Sequence, residues 1–173
     1  MLNFQYQNSL SVVRRCFSGS LLALGLWLSI SSQAASVPEK AAIPAPCLDM
    51  KHHFALGMVE TGNNDREVGG AGEVSRYQIL PVVWKVYSNS HDYQNPEVSL
   101  QVARMHWAYL AKYYREKTGR EAGDFDMYVL WNTKFGYYAR KGFDRNHLNP
   151  VVMDRAQRYV NLVNRPMEMV AKN

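Results

Sequence analysis

Residues 95–119 read NPEVSLQVARMHWAYLAKYYREKTG, and this stretch decides the fold. Asn95 is a helix-capping residue type, Pro96 suits the first helical position because it has no N–H to leave unpaired, and Gly119 is a stop. Between them Val98, Val102, Met105, Tyr109 and Tyr113 form one apolar stripe at helical spacing. Ala103, Trp107, Leu110 and Tyr114 form a second. Two stripes imply burial on more than one side, so this helix is expected at the centre of the molecule.

The same punctuation recurs outward from it. Upstream, Leu48, His52, Ala55 and Val59, with Leu56 and Met58 beside them, predict a helix ending near Glu60, where Thr61-Gly62-Asn63-Asn64 stops it. Gly69-Gly70-Ala71-Gly72 predicts a flexible turn. A short helix is then expected from a cap at Ser75 to Tyr87, with Pro81 kinking or dividing it. Downstream, Asp124 is expected to cap a helix that runs to Thr133. Asn149-Pro150 repeats the Asn-Pro start for a last helix with the stripe Val152, Ala156, Tyr159, Val160 and Val163. No long alternating run argues for a sheet. The expected fold class is mainly α, α+β at most by a small hairpin near the glycines, in a single domain.

The ends of the chain read differently. Arg14 and Arg15 precede Phe17 to Ile30, an apolar run of 14 residues, and Ser32-Gln33-Ala34 supplies small residues where a signal peptidase reads. This is the three-part pattern of a secretory signal over residues 1–34, and the run is short for a membrane span, which needs about 20 apolar residues. Export by the general route or by the twin-arginine route stays open. Residues 35–46, ASVPEKAAIPAP, read as an extended linker, 47–165 as the folded domain and 166–173 as a tail. Of the two cysteines, Cys16 belongs to the signal, so Cys47 has no internal partner for a disulfide. The expected location is therefore periplasmic or secreted, with no stable membrane span after cleavage.

The chain has 173 residues, 47% of them apolar, and a formal charge of +5, two units of which lie in the signal segment. That composition suits one globular core and excludes a disordered or collagen-like chain. A mild positive charge suits an anionic surface such as a cell wall, and it falls short of the basic face a nucleic-acid binder needs.

Two carboxylates are candidates for chemistry. Glu60 follows Phe54-Ala55-Leu56-Gly57-Met58-Val59 and sits at the end of a helix. Desolvation and the negative end of the helix dipole both raise its pKa, as a general acid at neutral pH requires, whereas a solvated helix-end Glu would do nothing. Glu73 lies 13 positions on, in the glycine loop, and reads either as a second carboxylate of a cleft or as a first-turn acid of the next helix. Aromatic residues crowd the domain, mostly as core groups. A few of Tyr77, Trp84, Tyr87, Tyr93, Trp107, Trp131, Tyr137 and Tyr138 on a cleft wall would suit the apolar faces of sugar rings, and the polar Gln78 and Asn132 could bond the acetamido and hydroxyl groups of such a ligand. His52, His53 and His106 lack metal-ligand spacing, and Asn63, Asp65 and Glu67 alternate like a calcium loop but are followed by Val68 where that loop needs glycine. No metal and no cofactor is expected.

Taken in order, these segments resemble the lysozyme-like lytic transglycosylases of the soluble type, the SLT domain family. Val59-Glu60-Thr61 stands where the family ends a helix in Glu-Ser. Ser75-Arg76-Tyr77-Gln78-Ile79-Leu80-Pro81 matches the Gln, Ile and Pro of Gly-Leu-Met-Gln-Ile and its proline, with Ser-Arg-Tyr in place of Gly-Leu-Met. Asn95-Pro96 leads to Tyr109-Leu110. Leu130-Trp131-Asn132-Thr133 resembles Ala-Tyr-Asn-Ala-Gly without its glycine, and Arg158-Tyr159-Val160 retains part of Glu-Thr-x-x-Tyr-Val.

The resemblance spans residues 48–164 and implies a lysozyme-like fold. It also implies an enzyme that cuts the MurNAc-β-1,4-GlcNAc bond of peptidoglycan glycan strands, with Glu60 as catalytic acid and base and Gln78, Asn132 and Tyr159 lining or supporting the cleft; with Ser75, Tyr77 and Trp131 of the matched segments these are the expected substrate-binding residues. A lytic reaction needs Glu60 alone, and a lysozyme-type hydrolysis would use Glu73 as well. A domain that binds glycan without cutting it is the alternative from another class. The small single domain also suits an enzyme that opens the wall for a cell-envelope secretion apparatus.

Overall fold

The computed structural model describes residues 48–166. The expected signal segment, the linker, Cys47 and all but the first residue of the tail lie outside the described residues. Among the described residues six α-helices follow one another: α1 (Met50–Thr61), α2 (Pro81–Tyr87), α3 (Pro96–Thr118), α4 (Asp124–Asn132), α5 (Tyr137–Arg140) and α6 (Pro150–Val163), with a 3-10 turn at Arg145–His147 before α6. The protein is mainly helical, and the β structure among the described residues is one antiparallel bridge, Val74 with Ile79.

Local chemistry sets the helix ends. Asp49 accepts from the amides of Lys51 and His52 to start α1. Gly62, at φ 68°, ends it by turning left-handed, which costs glycine nothing. The Gly62 and Asn63 amides then reach back to the carbonyls of Met58 and Gly57. Asn95 and Asn149 cap α3 and α6 in the same way, each followed by proline at the first position.

Three expectations are corrected by tertiary packing. The helix expected from Ser75 begins at Pro81. Ser75 (φ 64°) and Gln78 (φ 52°) are both left-handed, and Val74 and Ile79 exchange backbone hydrogen bonds of 2.9 and 3.0 Å around them. A helix cannot pass through such a turn, and Pro81 is at the position where a helix starts without needing an N–H. Asp124 is the first residue of α4, not its cap, which is Gly123; its carboxylate faces His52 Nε2 at 3.1 Å instead. The helix enclosed on all sides is α4, whose residues Phe125 to Leu130 are all buried, whereas α3 keeps Arg104, Ala108, Lys112 and Arg115 in water. The short α5 and the 3-10 turn carry no periodicity that a sequence reading detects.

The core lies where α6 packs on both α1 and α4, and α3 closes over α4. Leu56, Trp107, Met127, Tyr128, Ala156 and Tyr159 fill it. Aromatic rings run through it in contact: Trp107 with Trp131 (5.9 Å) and Tyr159 (6.0 Å), and Tyr159 stacked on Tyr128 (5.2 Å). Among the described residues, no helix is long and apolar enough to cross a membrane.

Candidate active site

Glu60 is the penultimate residue of α1, and only 5% of its side chain reaches solvent. The solvated helix-end alternative is excluded by that burial. Its two oxygens have separate partners. Oε1 accepts from the Tyr128 hydroxyl at 2.6 Å and from Asn132 Nδ2 at 3.4 Å. Oε2 accepts from Arg155 Nη2 at 2.9 Å. Tyr128 and Asn132 stand one turn apart on α4, so the helix repeat aims both at one point. Arg155 comes from α6, and its Nε donates to the Tyr128 oxygen at 3.2 Å, which closes the triangle.

These contacts act on the carboxylate in opposite directions. Burial disfavours its charge, while Tyr128, Arg155 and Asn132 favour it. Burial is the largest effect, Glu73 adds to it through its own negative charge, and the result is a carboxyl held above the usual range. Tyr128 is buried beside that anion, and its hydroxyl is pushed far above the ordinary phenol range, so it is a fixed donor.

The glycine loop brings a second carboxylate, Glu73, close enough for its charge to act on Glu60. Glu73 accepts the Ala71 amide on Oε2 at 2.9 Å, and its carbonyl accepts from the Gly69 amide at 2.9 Å. A Cβ at Gly69 would come within 2.3 Å of both Gln78 Oε1 and Glu73 Oε2, so only glycine lets these two side chains close over the loop. Gln78 is held by its own Nε2, which donates to the Ser75 carbonyl at 3.2 Å. The loop is tied to the end of α1 by Thr61 Oγ1, which donates to the Arg76 carbonyl at 3.0 Å, and by the Arg76–Asp65 ion pair. Asp65 thus serves Arg76. Among the described residues, no group of three His, Cys, Asp or Glu side chains is arranged to hold a metal.

The structure therefore brings Glu60, Asn132, Glu73 and Gln78 to one end of α1 and places three of the other candidates in the core. Ser75 (1% exposed), Tyr77 (2%) and Tyr159 (0%) are in the core and offer no surface to a ligand. They act from behind. Ser75 Oγ accepts the Tyr77 amide inside the turn, the Tyr77 carbonyl accepts Trp131 Nε1 at 3.1 Å, and the Tyr159 ring backs Tyr128. Trp131 is half-buried, and its N–H is spent on holding the loop against α4. Glu73 is not a first-turn acid, since α2 starts eight residues later.

Sequence reasoning missed Tyr128 and Arg155. A signal existed for Arg155: it sits three residues after Val152 and four before Tyr159, so it is a cation on the apolar stripe of α6. Tyr128 had none beyond its spacing from Asn132. Set against protein-family models, curated proteins and solved structures, the chain matches none of them.

Proposed function

We propose that this lysozyme-like domain cleaves the MurNAc-β-1,4-GlcNAc bond of peptidoglycan as a lytic transglycosylase, outside the cytoplasmic membrane once its signal is removed. The observation that carries the reading is Glu60, a buried carboxyl raised by desolvation yet held by three donors. Such a group can work in both protonation states. Protonated, it gives its proton to the glycosidic oxygen as the bond to C1 breaks, and the GlcNAc leaves with a 4-hydroxyl. The oxocarbenium-like C1 is supported by the 2-acetamido carbonyl of the same sugar. The Glu60 anion, stabilised by Tyr128, Arg155 and Asn132, then takes the proton of the 6-hydroxyl as O6 bonds to C1. The products are a 1,6-anhydro sugar and a reprotonated Glu60. Gln78 and Asn132 are the side chains suited to hold acetamido and hydroxyl groups beside it.

A second reading has its own observation. The Arg155–Glu60 pair favours the charged carboxylate, as in a purely structural ion pair, and so favours a domain that binds glycan without cutting it. A digest of purified peptidoglycan with the mature protein, resolved by mass, decides. Products ending in 1,6-anhydro-MurNAc support the lytic route. Products heavier by one water bring Glu73 into a hydrolytic mechanism. Sedimentation of the protein with sacculi and no soluble product sinks the enzymatic reading. An enzyme of this kind would also fit service to a cell-envelope secretion apparatus.

A further inference from the structure

Arg155 has more donors than Glu60 uses. A guanidinium carries five N–H groups. Nε donates to Tyr128, and Nη2 donates to Glu60 and, at 3.5 Å, to the Val59 carbonyl. Among the described residues Nη1 has no hydrogen-bond partner. The pair is also asymmetric, because the Arg155 side chain is 32% exposed against 5% for Glu60. The anion is inside, and the cation beside it is the member that reaches solvent. The groups that act on Glu60 from every side are Arg155 of α6, Tyr128 and Asn132 of α4, and Glu73 of the glycine loop.

An arginine edge that is partly exposed and has an unbonded nitrogen is suited to a carboxylate. A ligand carboxylate placed there meets Glu60 and Glu73 as like charges. It binds best when Glu60 is neutral, so its binding and the protonation of Glu60 help each other, and the coupling is reciprocal. We infer that Arg155 reads a carboxylate of the glycan strand, and that sharing its charge with that group readies Glu60 as the acid. The inference rests on the peptidoglycan-cleaving reading above. The carboxylate has two sources. On peptide-free strands it is the lactyl group of the muramoyl sugar; on peptide-bearing strands that group is an amide and the carboxylates lie along the stem peptide.

The test compares three substrates with the mature wild-type protein: peptide-free strands, peptide-bearing strands, and peptide-free strands whose lactyl groups have been converted to methylamides. The expected kcat/KM for a carboxylate-bearing strand exceeds that of the amidated strand by about tenfold or more, the range of one charge-assisted hydrogen bond. Preference for the peptide-free strand assigns the lactyl source, and preference for the peptide-bearing strand assigns the stem. With the preferred strand the alkaline limb of kcat lies at higher pH than that of kcat/KM, because Arg155 is shared only in the complex. Arg155→Gln removes the preference and merges the two limbs, which a merely structural role would not do. Equal cleavage of all three strands by the wild type overturns the inference without any variant. Cleavage of none overturns the enzymatic reading instead. Binding of the same strands then decides the inference: selective binding of carboxylate-bearing strands that Arg155→Gln abolishes upholds it, and equal binding refutes it.

Discussion

Arg155 Nη2 lies 2.9 Å from Glu60 Oε2, although 95 positions of sequence separate the two residues. The pairing joins the last helix to the end of the first and sets the chemistry of the carboxylate between them. Burying an ionised carboxylate costs several kcal/mol, and one exposed-edge arginine returns only part of it. That imbalance is why Glu60 is raised even with three donors in place.

Replacing Glu60 by Gln tests both the proposed acid and the ion pair. Gln keeps an oxygen for Tyr128 and loses the ionisable proton. Release of soluble glycan should fall about 10²–10⁴-fold, the usual weight of general acid–base catalysis. Stability should fall by about 1–3 kcal/mol in urea titration, less than for a fully enclosed pair, because Arg155 reaches water. Unchanged digestion of sacculi would refute the catalytic assignment.

Tyr128→Phe removes the 2.6 Å donor to Glu60 and the acceptor of Arg155 Nε together. The donated bond favours the anion, so its loss raises the Glu60 pKa. The alkaline limb of kcat/KM should move to higher pH, and stability should drop by about 1–3 kcal/mol as buried partners lose their bonds. A limb that stays in place would show that Tyr128 does not set the protonation of the acid.

Tyr159→Phe separates support from contact. The Tyr159 hydroxyl is buried without a hydrogen-bond partner, while its ring stacks on Tyr128. Phe keeps the ring and removes the unpaired hydroxyl, so stability should hold or rise by up to about 1 kcal/mol. Cleavage should stay within about twofold of the wild type, since packing behind Tyr128 is preserved. A large loss of activity would instead place the hydroxyl in the reaction.

Two histidines give stability opposite pH dependences. His52 sets Nδ1 2.7 Å from Asp49 and Nε2 3.1 Å from Asp124, and the hydrogen bond to Asp124, followed by that to Asp49, raises its pKa above 6.5. A raised folded value means that its contribution is complete below pH 6.5 and is lost as pH rises through the folded pKa. Burial lowers His106 to about 4, so its contribution is present above pH 6.5 and is lost as pH falls through 4. Denaturant titrations across pH should show Asp124→Asn flattening the alkaline-side loss and His106→Phe flattening the acid-side loss. If neither slope changes, these two residues do not govern the profile.

Much of the helical frame was legible because helix ends are local events. Asn95-Pro96 with Gly119, and Asn149-Pro150, state their caps and stops within a few residues, and α3 and α6 begin where they say. Ser75 misled because a capping residue type also suits a tight turn, and the choice was made by the Val74–Ile79 pairing and by Pro81. At the candidate site, the place of Glu60 at the close of α1 was legible from the stop at Gly62, whereas its meeting with Asn132 and Glu73 depends on packing. Ser75 and Tyr77 looked like ligand contacts, and Tyr159 like a contact or a support, because residue type does not reveal which way a side chain faces.

The sequence by itself determined a mainly helical chain, the ends of its long helices, and a carboxylate at the close of α1, since each depends on neighbours a few residues away. Only the tertiary structure decided what that carboxylate is. Its donors come from positions 128, 132 and 155, on two helices that α1 meets only after folding. A pKa is set by burial and by the charges that packing brings near, and neither is a property of the residues adjoining Glu60 in the chain.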